Sequence, residues 1–398
     1  MKQTSNHSKI RVGIICGGRS AEHQISLLSA KSVIAAMDPH KYEVVLLGIH
    51  PSGEWFLYDR LETALLNVDN PERISLNMDV YASSKMPAAV GSNAYGEAQG
   101  STFAHPVALT ARGMENPLVA LNGSATGRPL DVIFPVLHGP YGEDGTIQGL
   151  LKLANIPFVG AGVLASAVAM DKDVSKRLLR DADLPIAPFL VLHQHQKMDF
   201  DSIVAALGLP FFVKPANLGS SVGVSKIYGR DDFDQKMALA FSFDRKILVE
   251  AFIEGREIEC SVLGNEDPIA SIAGEIIPQH DFYSYEAKYL DDQGALLEIP
   301  AQISEEQMQR VRAIACEAYQ VLCCEGMARV DLFLKKNGDI LINEINTIPG
   351  FTKISMYPKL WAATGIAYPD LIDRLIHLAI NRFQQEQLLQ TQLQLLEV

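Results

Sequence analysis

At 398 residues the chain is too long for a single hydrophobic core, so two or three packed units are expected. With 48% hydrophobic and 20% charged residues it is not a disordered chain, and a net charge of −13, from 34 basic and 47 acidic residues, excludes nucleic acid as its main partner. Cys16, Cys260, Cys316, Cys323 and Cys324 show no metal-binding spacing and read as reduced core residues of a cytoplasmic protein, and the apolar run from Gly160 to Met170 is too short for membrane insertion.

Ile10 to Cys16 reads as a buried strand that ends in Gly17-Gly18-Arg19-Ser20, ahead of a helix from Ala21 to Met37. The unpaired N–H groups of a helix start attract anions. Glu22, in the first turn, either complements the helix dipole or holds a cation at the strand end. Strands over Tyr42 to Ile49 and Asp131 to His138 continue an α/β pattern, separated by an insertion from Tyr81 to Pro129 that shows no sustained periodicity. His138 opens a glycine-rich turn where open α/β sheets bind ligands, so it should share a crevice with Glu22, either as a ligand contact or as a structural residue.

A helix is expected from Leu164 to Arg180, and Pro185 and Pro188 mark the entry to a second unit. There a strand ending in Lys214 precedes Gly219-Ser220-Ser221-Val222-Gly223 and a return strand, a loop small enough for its backbone N–H groups to approach phosphates. Lys246 to Ile253 and Arg256 to Leu263 are further strands, with Glu250 and Glu257 near their ends as candidate acceptors for an adenine amino group and a ribose. Ile269 to Pro278 is another strand, and the tyrosine-dense segment Phe282 to Tyr289 reads as a binding loop or lid. Ser304 and Gln307 form a capping box for a helix reaching Cys323. A closing helix over Pro369 to Arg382 leads into a Gln- and Leu-rich tail without assigned function.

The most informative stretch lies between those last two helices. In Met327 to Thr347, two alternating runs flank Asn337-Gly338, the signature of a hairpin with a two-residue type I′ turn. That turn pairs Asp331 with Glu344, Arg329 with Asn346 and Phe333 with Ile342 on one face, leaving Asn343 as the one polar member of the core face. Two opposed carboxylates repel, so a cation is expected between them, and two carboxylates with an amide oxygen make a hard donor set suited to Mg²⁺ beside phosphates. The plainer alternative is the solvated outer face of a hairpin. The apolar pair on the same face favours a platform for a flat aromatic ligand.

Taken together, GGRSAEHQIS, HGPYGEDGTIQG, MDKDVSKRLL, KPANLGSSVG, GREIEC, YEAKY, MARVD and INEINTIPGF resemble, in order, the ATP-grasp superfamily and within it the D-alanine:D-alanine ligase family. The resemblance implies an α/β and α+β chain: an open parallel α/β domain over 1–165, then two α+β domains over 166–263 and 264–398 sandwiching the nucleotide. It implies ATP as co-substrate and D-alanine as the unit joined through an acyl phosphate, for peptidoglycan precursors, with two Mg²⁺ ions, replaceable by Mn²⁺, on Asp331, Glu344 and Asn346. Lys172, Lys214 and Lys288 would spread phosphate charge. Ser220, Ser221, Glu250, Ala251, Ile253, Glu257, Phe333 and Asn343 would line the nucleotide site. Glu22 would meet the first substrate's ammonium and His138 its carboxylate, Arg329 and the Gly350 N–H the oxyanion, and Ser355 with Met356 the second substrate. Ser220 and Tyr289 would link Glu22 across the closed lid, and the assembly would be a homodimer.

Ala251 and Met356 depart from the Lys and Leu common in the family, which puts pocket packing in question but removes no charge that catalysis needs. Tyr289 argues against the nearest rival, a D-alanine:D-lactate ligase. Retention of Arg329, Asp331, Glu344, Asn346 and the three lysines argues against a non-catalytic nucleotide-binding regulator. A dinucleotide dehydrogenase would require G-x-G-x-x-G, which is missing.

Overall fold

The computed structural model describes residues 9–58, 64–66, 74–77, 104–110, 118–120, 128–196, 198–278 and 295–389. Lys288, Tyr289, most of the 81–129 insertion and the end of the tail therefore lie outside the described residues. The first sheet contains β1 (Ile10–Gly17), β2 (Tyr42–Ile49), β3 (Trp55–Tyr58), β6 (Ala104–Leu109), β7 (Leu118–Ala120) and β8 (Val132–Pro135), in the order β7-β6-β3-β2-β1-β8. A separate two-stranded ladder joins β4 (Leu65–Leu66) to β5 (Ser75–Leu76). β1 runs parallel to both β2 and β8, and both its faces are covered, which is why IRVGIIC is a continuous apolar run. Antiparallel β3, β6 and β7 extend this parallel part, so two pieces of the 81–129 insertion belong to the sheet.

Helix α1 (His23–Ala36) starts just after β1, with Glu22 at its N-cap. After β8 come α2 (Thr146–Leu153), α3 (Val163–Met170) and α4 (Lys172–Asp181). The single helix expected from Leu164 to Arg180 is thus two. Asp171 has extended backbone, ψ 99°, and its carboxylate accepts the N–H groups of Asp173 and Val174 at 3.2 Å each. An aspartate that can cap a new helix competes with continuation of the old one.

The second sheet, ordered β11-β10-β12-β9, comprises β9 (Phe189–His193), β10 (Phe211–Pro215), β11 (Ser225–Ile227) and β12 (Lys246–Ala251), and packs under α5 (Phe200–Leu207) and α6 (Phe233–Phe243). The third, ordered β15-β14-β13-β16-β17, comprises β13 (Gly255–Gly264), β14 (Ile269–Pro278), β15 (Ala295–Glu298), β16 (Gly326–Lys335) and β17 (Ile340–Asn346). α7 (Glu305–Val321) covers its inner face, entered through the expected Ser304/Gln307 capping box with both reciprocal bonds formed. β13 pairs with β14 and β16 rather than with the second sheet, so the change of sheet falls between Ala251 and Gly255, not at residue 263.

The last two helices, α8 (Met356–Thr364) and α9 (Tyr368–Gln387), return to the first sheet. Phe351, Tyr357, Trp361, Leu371 and Leu375, all fully buried, join Val12, Leu27 and Phe134 in one core. Phe134 and Phe351 meet edge to face at 5.7 Å, and complete burial of one such side chain contributes roughly 1.5–3 kcal/mol. This packing brings the loop after β17 against the carboxyl ends of β1 and β8. Of the five cysteines, Cys16, Cys260 and Cys324 are buried, whereas Cys316 is partly exposed and Cys323 exposed, so only three are core residues as expected. No helix among the described residues is long and apolar enough to cross a membrane.

Candidate active site

The hairpin of β16 and β17 forms the floor of the site, and its geometry corrects the expected turn. Gly338 N–H bonds to the Lys335 carbonyl and Lys335 N–H to the Asp339 carbonyl, both at 2.9 Å, leaving a three-residue loop, Lys336 to Gly338. Only Gly338 takes a positive φ, +87°, while the Asn337 side chain accepts the Asp339 N–H at 3.1 Å instead of entering the left-handed region. This is the turn-plus-bulge hairpin, not type I′.

A second irregularity follows. Arg329 pairs with Asn346 and Asp331 with Glu344 as expected, but the register then slips by one, placing Phe333 opposite Leu341. Ile342 is fully buried and Asn343 turns to the site, the reverse of the expected faces. The bulge breaks ladder bonds that distant groups replace. Lys176 donates to the Asn343 carbonyl at 3.1 Å, and the Pro185 carbonyl accepts the Ile342 N–H at 2.8 Å.

Across the sheet Asp331 lies between Glu344 on one side and Glu259 on the other, so three carboxylates occupy one row over three strands. Arg329 binds Asp331 through two bonds of 2.7 Å and reaches Glu259 at 3.0 Å. Lys172 stands 3.4 Å from Glu344, and the Asn346 amide donates to Asp331 at 2.9 Å. The protein thus supplies part of the expected positive charge itself.

Two adjoining cavities open on this row. Among the described residues the first is lined by six carboxyl groups (Glu22, Glu143, Glu257, Glu259, Asp331, Glu344) against the single guanidinium of Arg329, together with His138, Gly350, Ser355 and Met356. Such an excess of carboxylates suits cationic occupants, and the all-oxygen set of Asp331, Glu344 and Asn346 fits a hard divalent ion. The second is lined by Lys172, Lys214 and Ser221 and by the apolar walls Phe212, Ala251, Phe252 and Ile253. Ser220, Glu257, Phe333, Asn343 and Glu344 border both. Every described residue expected at the site lies on one of these two walls.

Two of those residues behave differently from expectation or lead to others that sequence reasoning missed. Glu250 is buried, gripping Lys176 and Lys214 at 2.5 Å each, so both its oxygens serve lysines rather than an adenine amino group. Burial alone would raise its pKa, but the two ammonium groups outweigh this and hold it below the ordinary value. Lys176, also buried, goes the other way: burial lowers its pKa despite Glu250. Ser220 touches Glu22 directly, linking the Gly-Ser loop to α1 as the resemblance implies, with φ of 52° at Ser220 and 60° at Ser221.

His138 is the second. Its Nδ1 lies 3.0 Å from the Ile348 carbonyl, which can only accept, so Nδ1 carries the proton; Nε2 then accepts from Ser29 Oγ at 3.2 Å. Burial pushes its pKa below the ordinary value, in keeping with a neutral ring. Both ring nitrogens are engaged within the protein, so the expected contact with a substrate carboxylate is not the role this geometry gives it. Beside it Glu143 accepts the N–H groups of Gly139 at 2.7 Å and Ile348 at 3.1 Å. Burial, reinforced by neighbouring Glu22, raises its pKa from 4.5 to about 8. Between those two values the folded state holds more protons than the unfolded one, so its contribution to stability is complete below 4.5 and declines as pH rises toward 8. The stability of wild type relative to Glu143→Gln, measured by urea unfolding at pH 5, 7 and 9, should therefore fall steadily with pH; a constant difference would show that the carboxyl does not titrate in this range.

Residues 11–161 match the family model described as D-ala D-ala ligase N-terminus, and residues 178–377 that described as D-ala D-ala ligase C-terminus. The chain is 50% identical over 386 residues to D-alanine:D-alanine ligase A of Salmonella typhimurium, covering 96% of this chain and 99% of that relative. It is 49% identical over 385 residues to the D-alanine:D-alanine ligase of Oceanobacillus iheyensis, covering 96% and 98%. Among solved structures, the D-alanine-D-alanine ligase from Coxiella burnetii superposes with a TM-score of 0.78 at 36% identity over 95% of this chain and 97% of that one. The VanG D-Ala:D-Ser ligase from Enterococcus faecalis gives 0.78 at 31% identity, over 94% and 100%.

Proposed function

The chain belongs to the D-alanine:D-alanine ligase family, and on that premise we propose how its two cavities divide the ATP-dependent joining of two D-alanines. One observation carries the division: the lysine-lined cavity and the carboxylate-lined cavity share the edge formed by Phe333, Asn343 and Glu344. A nucleotide with its base against Ala251, Ile253 and Phe333 and its ribose near Glu257 would extend its terminal phosphates past Lys172, Lys214 and Ser221 to that edge. There they would meet the carboxylate of a D-alanine whose ammonium is held by Glu22 and whose enclosure is closed by Ser220. Phosphoryl transfer gives an acyl phosphate and ADP. The amine of the second D-alanine, its carboxylate at Ser355 and its methyl group beside Met356, then attacks the acyl carbon, and the tetrahedral intermediate collapses to dipeptide and phosphate.

Arg329 and the Gly350 N–H would stabilise the oxyanion of that intermediate. Gly350 suits this place because an added Cβ would stand 2.7 Å from Ser355 Oγ, closing the space a substrate needs. Asp331, Glu344 and Asn346 would hold Mg²⁺, or Mn²⁺ in its place, which when bound supplies positive charge against the β- and γ-phosphate oxygens. Glu259 anchors Arg329 from the far side, and Glu250 sets the spacing of Lys176 and Lys214, which is a positioning task. Lys288 and Tyr289, outside the described residues, keep the phosphate and lid roles the resemblance gives them. We further propose a cytoplasmic homodimer supplying a peptidoglycan precursor, with the three units changing at about residues 165 and 253.

Incubating the protein with Mg-ATP and D-alanine, D-lactate, D-serine or L-alanine and identifying the products by mass tests the reading. D-alanyl-D-alanine with stoichiometric ADP and phosphate is expected; a depsipeptide or mixed dipeptide as main product, or ATP turnover without ligation, would overturn it.

A further inference from the structure

The backbone that follows β17 is held at Ile348 and at Phe351 by residues of α1 and of the loop after β8, 205 to 322 positions earlier in the chain. At Ile348 the N–H is accepted by Glu143 at 3.1 Å and the carbonyl is bound by His138 Nδ1 at 3.0 Å. At Phe351 the N–H reaches Ser29 Oγ at 3.4 Å, and the same hydroxyl lies 3.2 Å from His138 Nε2. With the imidazole neutral, hydrogen-bond polarity allows a single assignment. Phe351 N–H donates to Ser29, the Ser29 hydroxyl donates to His138 Nε2, and His138 Nδ1–H donates to Ile348, so the chain of bonds closes on the segment where it began. All three side chains are buried or, for Glu143, enclosed in the same wall. Between the two held residues lies Gly350, whose N–H has no partner among the described residues.

We propose that Ser29, His138 and Glu143 are positioning residues that clamp Ile348 and Phe351 and thereby aim the Gly350 N–H at the oxyanion that forms on the reacting acyl carbon. The clamp makes one wall of the substrate site depend on the docking of the C-terminal helices against the first sheet. Its catalytic consequence rests on the ligase reading above, whereas its mechanical part does not. Misplacing an oxyanion donor by about 1 Å costs on the order of 100-fold in rate, so a loosened clamp should act on turnover more than on nucleotide binding.

The full-length protein tests both parts. Hydrogen exchange, followed by mass spectrometry, should rise at least about tenfold in the peptide spanning 348–355 in Ser29→Ala and in Glu143→Ala, with the 327–346 hairpin unchanged. With Mg-ATP and D-alanine, kcat should fall about 10- to 100-fold while KM for ATP stays within about twofold. Glu143→Gln, which restores one acceptor, should fall between wild type and Glu143→Ala, and remains informative if the alanine variant does not fold. Unchanged exchange over 348–355 would overturn the clamp. Raised exchange with wild-type kcat would overturn its bearing on catalysis. A wild-type protein that forms no dipeptide would remove the functional reading, and the exchange data would still decide whether the clamp exists.

Discussion

Glu344→Gln is expected to lower dipeptide formation at least about 100-fold while the melting temperature stays level or rises. Removing one charged group that meets a transition state usually costs on the order of 10² to 10³ in turnover. The stability half follows from the row of carboxylates. Asp331 has Glu344 opposite it on one neighbouring strand and Glu259 on the other, and like charges at directly paired positions destabilise a sheet. Arg329 relieves the Asp331 side with two bonds of 2.7 Å, whereas Glu344 has Lys172 at the longer 3.4 Å. A residue kept for the fold would lose stability when its charge is removed; one kept for a cationic ligand should lose activity alone. Coupled release of ADP with thermal unfolding in the absence of nucleotide measures both. Turnover within a few-fold of wild type, or a clear drop in melting temperature with no loss of turnover, would sink the assignment.

How far the sequence reaches can be judged on that same hairpin. The alternation of MARVDLFLKK and the glycine after Asn337 are local, and they sufficed to place Arg329, Asp331, Glu344 and Asn346 on one face and in the right pairs. The slip at Asn343 is not local. It is held open by Lys176 and Pro185, more than 150 residues away, and no periodicity in β17 records a bond to a lysine on another helix. Glu259 illustrates the same limit: alternation within GREIEC puts it on one face with Glu257, but only the pairing of β13 with β16 sets it beside Asp331. His138 and Glu143 were visible as a glycine-rich strand end. Their partners were not, because Ile348 meets them through the burial of α8 and α9 against the first sheet. What the chain writes locally is strand phase, caps and turns; what it leaves to tertiary packing is which charged groups satisfy one another.

The buried triad beneath the lysine-lined cavity should give the largest effect on stability. Glu250 is 2% exposed and lies 2.5 Å from both Lys176, equally buried, and Lys214. Breaking a buried ion pair by removing one partner typically costs about 3–5 kcal/mol, because the remaining charge keeps its desolvation penalty without its counter-charge. Glu250→Gln is therefore expected to lose about that much at pH 7 in denaturant unfolding. The sign of its pH dependence is fixed as well. Burial already lowers the Lys176 pKa in the wild type, and without Glu250 the lowering must deepen. A lysine depressed in the folded state binds fewer protons there than when unfolded, so the variant should regain stability as pH rises toward 10. Lys176→Met/Glu250→Gln should recover much of the loss at pH 7, since a neutral side chain of similar length fills the space without a charge to satisfy. Because the triad also holds the Asn343 bulge, the single variant should weaken ATP binding through a displaced Lys214, and the double variant should restore it only in part. A Glu250→Gln protein as stable as wild type, with KM for ATP as its only altered property, would instead return Glu250 to direct contact with the nucleotide.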